Sequence, residues 1–549
     1  MAEHALLTVE NLSVEFHARG RIVQAVRNVS WQVNRGETLA ILGESGSGKS
    51  VSSSAVMGLI DSPPGHITSG KALFQGRDLL TLTKDERREI NGRRIAMIFQ
   101  DPLAHLNPVY PVGWQVAEAM RVHGVPPSEA RARAVALLER VGIPRAAERM
   151  NAYPHEFSGG QRQRVMIAMA VAMKPDLLIA DEPTTALDVT VQAQILTLLS
   201  ELRDETGMGL VLITHDLGVV AQHADRMVVM KDGEVVETGA VADVFRAPAH
   251  DYTRRLLGAA PGKLPFRVPD EAAEPLLEVQ DLVKAFHLRG RLFGAAPREV
   301  RALDGLSFAL RKGETLGIVG ESGSGKTTLA RVLLRLMEPT SGSVRYRGQD
   351  VFAMSKEQVF AFRRRVQVVF QDPTASLNPR MTVEEIIGEH WAIHPEARPA
   401  EGRRAGVEKL LLQVGLDPAH ASRHPHQFSG GQRQRIAIAR ALSLKPEVIL
   451  CDEAVSALDV SVQAQVIELL KDIQKQYGLS YIFIAHDLPV VRDFADRVLV
   501  MHRGQIVEQG PTGSVFTAPQ AEYTRTLLAA SPEADPTYRP GRRAGGGRP

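Results

Sequence analysis

The stretch Gly43-Glu-Ser-Gly-Ser-Gly-Lys-Ser50 follows the apolar run 38–42 and is repeated as Gly320-Glu-Ser-Gly-Ser-Gly-Lys-Thr327. In this spacing the glycines let the backbone curl so that its N–H groups point at phosphate oxygens, and the following helix adds a partial positive charge. The lysine supplies a full charge to the β and γ phosphates, and the hydroxyl after it can bind Mg²⁺. The pattern therefore predicts two phosphate-binding loops, each between a strand and a helix. They comprise Gly43, Glu44, Ser45, Gly46, Ser47, Gly48, Lys49, Ser50 and Val51, and Gly320, Glu321, Ser322, Gly323, Ser324, Gly325, Lys326, Thr327 and Thr328.

A second repeated segment shows that the whole chain is duplicated. Phe157-Ser-Gly-Gly-Gln-Arg-Gln-Arg164 returns as Phe428-Ser-Gly-Gly-Gln-Arg-Gln-Arg435, at an offset of 271 positions, whereas the two loop lysines are 277 apart. The second copy has therefore lost six residues opposite 62–69 and has gained seven around 291–299. Because the offset is constant elsewhere, we expect duplicated domains whose length varies only in surface loops.

The length of 549 residues exceeds what one hydrophobic core usually serves. We predict a first domain at residues 5–257 and a second at 276–530. Residues 258–275 contain four prolines, which is typical of an extended, semi-rigid linker. Residues 531–549 end in a Gly- and Arg-rich segment that we expect to be disordered.

Near-continuous apolar runs at 177–180 and 210–214 recur at 448–451 and 481–485, and helical patterns separate them. Such runs alternating with helices indicate a parallel sheet covered on both faces, and hence an α/β fold.

Paired carboxylates follow the first apolar run of each pair, as Asp181-Glu182 and Asp452-Glu453. Neighbouring side chains of a strand face opposite ways, so the two acids have different surroundings. We assign Asp181 and Asp452 to the Mg²⁺ shell, and Glu182 and Glu453 to polarising the attacking water.

Composition argues against several other classes of protein. The net charge of +2 offers no strong field for nucleic acid, and the single Cys451 excludes a four-cysteine zinc site or an iron–sulfur cluster held by this chain alone. No stretch has the roughly 18 consecutive apolar residues of a membrane-spanning helix, and the first ten residues do not look like a secretory signal. We therefore expect a protein that does not cross a bilayer unaided.

The Ser-Gly-Gly-Gln segments, together with these neighbours, resemble the signature motif of ATP-binding-cassette proteins. The resemblance covers nearly all of residues 5–530. It implies two tandem cassettes, each a RecA-like core with an antiparallel β subdomain and a helical subdomain, arranged head to tail. In that family the signature of one cassette contacts ATP held by the other, which pairs Lys49 with Ser429 and Lys326 with Ser158.

The same resemblance implies roles for further residues of each half. An aromatic residue stacks on adenine, a glutamine senses the γ-phosphate and joins the Mg²⁺ site, an aspartate links the two sites, and a histidine is a catalytic switch. In the first half these residues and the signature are Phe16, Gln100, Asp188, His215, and Ser158, Gly159, Gly160 and Gln161. In the second half they are Phe286, Gln371, Asp459, His486, and Ser429, Gly430, Gly431 and Gln432. The Mg²⁺ sites would comprise Ser50, Gln100 and Asp181, and Thr327, Gln371 and Asp452.

Two further motifs narrow the resemblance to ATPases of dipeptide, oligopeptide, glutathione and nickel importers. Leu-Asn-Pro follows each glutamine at 106–108 and 377–379, and Tyr-Thr-Arg-x-Leu-Leu closes each half at 252–257 and 523–528. The implied partners are ATP, Mg²⁺, two membrane permeases docking near 100–115 and 371–385, and an extracytoplasmic binding protein. One fused chain would then serve each transporter, bound peripherally at the cytoplasmic face of the bacterial cell membrane.

Alternatives stay open at this point. The solute could be a peptide, with glutathione among the candidates, or nickel or an opine. A two-cassette translation factor is a further alternative, although the short proline-rich linker and the two importer motifs argue against it.

Overall fold

The computed structural model of the chain describes residues 5–18, 20–185, 187–288, 298–456 and 458–537. The described residues divide into two units, one within 1–187, 191–260 and 532–549, and the other within 188–190 and 261–531. The division between 260 and 261 falls inside the predicted linker. The predicted insertion around 291–299 lies mostly outside the described residues, as does the predicted disordered tail from residue 538 onward.

The first half of the chain alternates strands with helices after an initial hairpin. Its strands are β1 Leu7–Ala18, β2 Arg21–Val33, β3 Thr38–Leu42, β4 Gly65–Phe74, β5 Arg77–Asp78, β6 Ile95–Ile98, β7 Leu177–Asp181, β8 Gly209–Thr214, β9 Arg226–Lys231 and β10 Glu234–Ala240. Its helices are α1 Lys49–Met57, α2 Lys84–Ile90, α3 Pro102–His105, α4 Val112–Arg121, α5 Pro127–Arg140, α6 Ala146–Arg149, α7 Gly159–Ala170, α8 Val189–Thr206, α9 Leu217–His223, α10 Val241–Arg246 and α11 Asp251–Gly258, with 3₁₀ turns at Leu79–Thr81 and Pro154–Glu156.

The second half repeats this order. Its strands are β11 Pro275–Leu288, β12 Arg298–Arg311, β13 Thr315–Val319, β14 Ser341–Tyr346, β15 Gln349–Asp350, β16 Val366–Val369, β17 Val448–Asp452, β18 Ser480–Ile484, β19 Arg497–His502 and β20 Gln505–Pro511. Its helices are α12 Lys326–Leu333, α13 Lys356–Arg365, α14 Pro373–Ser376, α15 Val383–Ile393, α16 Arg403–Gln413, α17 Gly430–Leu442, α18 Val460–Tyr477, α19 Leu488–Phe494, α20 Thr512–Thr517 and α21 Glu522–Ala530, with 3₁₀ turns at Val351–Ala353, Pro395–Ala397, Pro418–Ser422 and Pro425–Gln427.

Each unit is centred on a six-stranded sheet. The strand orders are β10-β9-β3-β8-β7-β6 and β16-β17-β18-β13-β19-β20, and only the β9–β10 and β19–β20 pairs are antiparallel. Every residue of β3, β8, β13 and β18 is buried. Strands buried on both faces need continuous apolar runs, which is the pattern that the sequence contains. The predicted α/β fold is confirmed.

A four-stranded antiparallel sheet, β2-β1-β4-β5 or β12-β11-β14-β15, completes the strand part of each unit. Strand β4 has ten residues and pairs with β1 as far as Gly65 opposite Phe16, whereas β14 has six and its pairing with β11 ends at Ser341 opposite Val283. The second copy therefore has a strand that is four residues shorter, so the length difference lies partly in a strand. The expectation that length varies only in surface loops is wrong at this position.

The helix-rich region between Gln100 and β7 differs from the equivalent region between Gln371 and β17. In the second half, Arg440 of α17 donates to the Ser376 carbonyl at 2.7 Å, and Arg433 donates to Thr374 Oγ1 at 2.8 Å. The first half has Met169 and Leu103 at the positions of Arg440 and Thr374. The loop after the glutamine is therefore hydrogen-bonded to α17 in the second half, whereas Leu103 and Met169 cannot form these two bonds in the first half, where Leu103 is 59% exposed.

Within the part of the chain that the structure describes, no helix combines the length and the apolar run that crossing a bilayer requires.

Residues 261–267 are fixed to the second unit at α19. The Asp493 carboxylate accepts hydrogen bonds from the N–H groups of Gly262 at 2.7 Å and Leu264 at 3.3 Å. Arg492 donates to the Leu264 carbonyl at 2.8 Å and lies over the Phe266 ring at 4.4 Å. The first part of the proline-rich segment is thus part of the second unit's structure.

Arg267 replaces an arginine that the second half lacks. In the first half, Arg203 of α8 donates to Thr38 Oγ1 at 2.6 Å and lies 3.8 Å from Asp225. The position equivalent to Arg203 is Gln474, so Arg267 supplies the guanidinium from outside, 3.0 Å from the Asp496 carboxylate, and also donates to Gln474 at 3.0 Å. Burial raises the pKa of Asp496, and Arg267 opposes that rise.

We expect Arg267→Ala to destabilise the second unit, because the buried Asp496 carboxylate would lose its counter-charge. The loss should be about 1–3 kcal/mol, since one member of a largely buried pair is removed while the Thr315 N–H remains bonded. Urea unfolding followed by Trp391 fluorescence, in a Trp31→Phe/Trp114→Phe background, reports on the second unit.

Arg404→Ala is the matched control, because Arg404 also pairs with carboxylates, those of Glu384 and Glu408, but on the surface. An exposed pair of this kind contributes about 0–1 kcal/mol. Equal losses for the two variants would contradict the structural role given to Arg267.

Candidate nucleotide-binding sites

Each predicted phosphate loop connects the central strand of the main sheet to a helix. The loop after β3 leads into α1 at Lys49, and the loop after β13 leads into α12 at Lys326. Gly48 has φ +94°, and a Cβ atom there would lie 2.5 Å from the Ala25 carbonyl oxygen. The left-handed backbone and the close approach both require glycine, so the tight turn before the helix depends on this residue.

The loop lysines are buried and curl back over their own loops. Lys49 Nζ lies 2.7 Å from the Gly43 carbonyl and 2.9 Å from that of Glu44. Lys326 makes the equivalent bonds to Gly320 at 2.6 Å and Glu321 at 3.0 Å. Burial lowers the pKa of Lys326, and the carboxylates of Glu453, Asp188 and Asp452 oppose that change. Both ammonium groups therefore lie beside the first residues of their loops, where they could bind a phosphate held by the loop.

The first carboxylate of each pair lies beside the loop helix. Asp181 ends β7, and its Oδ1 accepts a hydrogen bond from Ser50 Oγ at 3.0 Å. Burial raises the pKa of Asp181 and of Asp452, and in each case the neighbouring glutamate adds to the rise. Mg²⁺ at nucleotide sites is held by one or two protein oxygens together with phosphate and water, and the donor set of Ser50 and Asp181 fits that requirement.

The second carboxylate of each pair has a strained backbone. Glu182 has φ +43° and Glu453 has φ +50°, in the left-handed region that non-glycine residues seldom adopt. The N–H of each glutamate donates to the next strand, at the Ile213 or Ile484 carbonyl, both at 2.9 Å. Strain of this kind persists where the surroundings impose it and is concentrated at functional sites.

A glutamine and a histidine from distant parts of the chain meet at Glu182. Gln100 donates to Glu182 Oε2 at 2.7 Å, and His215 Nδ1 lies 3.2 Å from Oε1. Thr185 also donates to Oε2, at 2.9 Å. The structure therefore brings together three residues, Gln100, Glu182 and His215, that span 115 positions of the chain.

The second half has the same arrangement with one difference. Gln371 donates to Glu453 at 2.8 Å, and His486 Nδ1 lies 3.4 Å from the same carboxylate. Ser456 stands where the first half has Thr185, but its hydroxyl donates to the Glu453 backbone carbonyl at 2.9 Å. Among the residues that the structure describes, the carboxylate of Glu182 is thus bonded to one more side chain than that of Glu453.

The histidines keep both glutamates ionised. Burial would raise the pKa of Glu182, but the bond and charge of His215, with Thr185 and Lys49, lower it to about 2. The bond to His486 lowers the pKa of Glu453 against the effect of burial. Burial would lower the pKa of His486, and the bond and charge of Glu453 raise it instead. In the second half the pair is therefore an anionic carboxylate beside an imidazole that the carboxylate helps to protonate.

The signature serines cap helices. Ser158 and Ser429 precede α7 and α17, and each Oγ accepts from the N–H of the glutamine three residues on, Gln161 at 3.4 Å and Gln432 at 3.3 Å. Each glutamine side chain in turn accepts from the serine N–H, which forms a capping box. Both serines are exposed at a helix N-terminus, a position suited to an anion.

The remaining sequence-predicted residues lie at element ends. Phe16 and Phe286 are near the ends of β1 and β11, and the Phe286 ring is 37% exposed with Lys284 Nζ 5.4 Å from its centre. Asp188 immediately precedes α8, and Asp459 is the residue that caps α18. Their roles toward a nucleotide stay predictions.

Sequence reasoning missed Thr185 and two tyrosines. The N–H of Glu44 donates to Tyr252 Oη at 3.3 Å, and that of Glu321 donates to Tyr523 Oη at 3.2 Å. The Tyr-Thr-Arg segments were informative only as family motifs. Their repetition in both halves was the available signal, but nothing in the spacing of 208 or 202 residues connects them to the loops.

Comparison with known proteins agrees with this geometry. Residues 26–185 and 303–456 match the family described as ABC transporter, and residues 236–270 and 507–549 match the one described as oligopeptide/dipeptide transporter, C-terminal region. The glutathione import ATP-binding protein GsiA of Salmonella typhimurium is 50% identical over 569 residues, which covers 98% of this chain and 91% of that protein.

Two other relatives are equally extensive. GsiA of Escherichia coli is 49% identical over 563 residues, covering 97% of this chain and 90% of its own, and the peptidoglycan transport ATP-binding protein YejF of Agrobacterium fabrum is 50% identical over 529 residues, covering 96% of each. The chain therefore belongs to the ABC transporter family, and it carries two ATP-binding cassettes in one polypeptide.

Proposed function

We propose that this chain hydrolyses ATP with Mg²⁺ and thereby energises a membrane importer for peptides, with glutathione and peptide-bearing cell-wall fragments as candidate solutes. The observation that carries the proposal is the assembly, in both units, of a loop lysine and a glutamate that contacts a glutamine and a histidine. In the first unit, the hydrogen-bonded Ser50 and Asp181 add a hydroxyl and an aspartate suited to Mg²⁺. The names of the three relatives, all of them transport ATP-binding proteins, support the same class.

In this proposal the protein groups divide the work as follows. Lys49 and Lys326 leave their own loop carbonyls and bind the phosphates, while Ser50 with Asp181, and Thr327 with Asp452, hold Mg²⁺. The metal supplies positive charge that neutralises the phosphates. Ser158 and Ser429 bind phosphate oxygens from their helix N-termini, and Phe16 and Phe286 stack on adenine.

Glu182 and Glu453 are the proposed general bases. Each is kept anionic by its histidine, so it can accept a proton from the attacking water at neutral pH. Gln100 and Gln371 donate to these carboxylates in the present arrangement. A glutamine that leaves the carboxylate for the γ-phosphate and the metal would free the base only when substrate is bound, which couples binding to catalysis.

The proposed partners are two permeases, which dock near residues 100–115 and 371–385, and an extracytoplasmic substrate-binding protein. This assembly places the chain peripherally at the cytoplasmic face of the cell membrane, with one fused chain in each transporter. The match of both half-ends to the oligopeptide/dipeptide transporter C-terminal region supports peptides over nickel or opines.

The direct test is uptake by the complex of this chain with its permeases in proteoliposomes. We expect import of a labelled peptide or of glutathione only when MgATP is present on the side of the chain. Uptake that is unchanged without MgATP would refute the proposal. ATP-driven import of a nickel chelate or an opine, with no peptide uptake, would retain the ATPase and correct the solute.

Glu182→Gln combined with Glu453→Gln should reduce ATP hydrolysis by about 10²- to 10⁴-fold, the usual contribution of a positioned base, while MgATP affinity changes little. Steady-state hydrolysis and nucleotide titration measure the two effects separately. Glu205→Gln with Glu468→Gln, which alter exposed glutamates of α8 and α18, is the control and should retain activity. An equal loss of affinity and turnover in the first pair would show that the bases are misassigned.

Glu453→Gln should also lower the pKa of His486 below its ordinary value of 6.5, because burial then acts without the carboxylate. In the unmodified chain, the raised histidine pKa gives stability that is lost as the pH rises through it. The lowered Glu453 pKa gives stability that is lost as the pH falls toward it. Histidine NMR titration, assigned with His486→Gln, measures the shift.

Glu396→Gln is the matched control, because Glu396 lies 3.5 Å from another histidine, His394. It should leave His486 unchanged. A His486 pKa that stays above its ordinary value in Glu453→Gln would contradict the coupling.

A further inference from the structure

The last helix of each half reaches back to the phosphate loop of the same half. Tyr252 lies in the first turn of α11 and Tyr523 in the first turn of α21, within the segments that match the transporter C-terminal region. The hydroxyl oxygen of each tyrosine accepts a hydrogen bond from the second residue of the loop, Glu44 N–H at 3.3 Å or Glu321 N–H at 3.2 Å. The contact occurs twice, at equivalent positions.

The peptide group that each tyrosine binds is also the one that holds the loop lysine. The Gly43 carbonyl, which accepts from Lys49 Nζ at 2.7 Å, and the Glu44 N–H belong to the same planar peptide unit. The Gly320–Glu321 unit likewise joins Lys326 Nζ, at 2.6 Å, to Tyr523. Because the unit is rigid, the phenol at one end fixes the direction of the carbonyl at the other.

Apart from rotation that would change the direction of its C=O and N–H groups, each peptide unit has little freedom to move. A Cβ atom on Gly43 would lie 2.3 Å from the Met230 carbonyl oxygen, and one on Gly320 would lie 2.2 Å from that of Met501. The loop therefore runs directly against the end of the neighbouring strand, β9 or β19. The tyrosine hydroxyl supplies a hydrogen-bond acceptor for the N–H that follows this crowded glycine.

Each tyrosine is itself held in place by the hairpin after that strand. Glu237 of β10 accepts from the N–H groups of Ala249 and His250, just before α11, at 2.7 and 3.1 Å. Glu508 of β20 accepts from Gln520 and Ala521, just before α21, at 2.8 and 3.1 Å.

The rings are packed as well. Tyr252 is 5% exposed and lies 5.5 Å from Lys231 Nζ, and Tyr523 stacks on His502 at 4.0 Å. Burial raises the pKa of Tyr523 to about 12, so its phenol is neutral at physiological pH. Tyr252 is buried and Tyr523 is half-buried, and the segment before each tyrosine is anchored by a glutamate, so each phenol is a fixed point against which a loop can be oriented.

We infer that Tyr252 and Tyr523 are positioning residues for nucleotide binding, which orient the peptide unit that sets the starting position of Lys49 and Lys326. The inference rests on the proposed nucleotide-binding function of these loops. It gives the C-terminal region of each cassette a part in phosphate binding within its own cassette.

The test is the double variant Tyr252→Phe/Tyr523→Phe in the full chain, which keeps both rings and removes both acceptors. We expect MgADP affinity to fall about three- to tenfold, the factor expected for one neutral hydrogen bond, with a matching rise in KM for ATP. The value of kcat should change less than KM. MgADP titration and steady-state hydrolysis provide these values.

Tyr481→Phe is the control for losing a buried phenol hydrogen bond, because Tyr481 Oη donates to the Leu470 carbonyl at 3.1 Å, on an element that does not form the loop. It should lower Tm and leave MgADP affinity unchanged. A double variant that loses Tm but binds MgADP like the unmodified chain would show a purely structural role and overturn the inference. An unmodified chain that binds no MgADP would instead refute the proposed function, and the inference with it.

Discussion

Each cassette depends on the interaction of the buried ammonium group of its loop lysine with the oxygens around it. Removing a cation from water is costly unless other groups compensate for the lost hydration. Two carbonyls of the loop contact each ammonium, and the carboxylates at the end of β7 or β17 act on it through space. The glycine turns, the strained glutamates and the anchored tyrosines all help to determine the position of that ammonium group.

The carboxylates around this cation are adjusted in opposite directions. Burial raises the pKa of Asp181. Glu182 is the next residue along the chain, but His215 lowers its pKa. The alternation of side chains at a strand end separates the two environments, as the sequence indicated. His215 directly follows β8, the next strand of the sheet, so the parallel pairing of β7 with β8 brings this histidine to Glu182.

Much of the fold and of the candidate site could be predicted because its determinants are local. Buried parallel strands require apolar runs, and a phosphate loop requires glycines at fixed spacing before a helix, so both are visible in a single sequence. Thr185, Tyr252 and Arg267 could not be found in this way. Their partners are set by tertiary packing. Arg267 pairs with Asp496, 229 positions away, whereas in the first half the equivalent aspartate, Asp225, pairs with Arg203 of the same domain. A substitution at one position and its compensation at a distant one produce no pattern in a single sequence. The shortened strand β14 could not be predicted either, because we expected length differences only in loops.

The pairing of Arg267 with Asp496 sets where the second cassette begins as a structural unit. Its inner aspartate takes a guanidinium from a residue that precedes its own first strand, because the position equivalent to Arg203 is Gln474. Residues 261–267 are therefore part of the domain that follows them rather than a spacer between two domains. A second cassette produced on its own would have to start upstream of this arginine to keep its interior charge balanced.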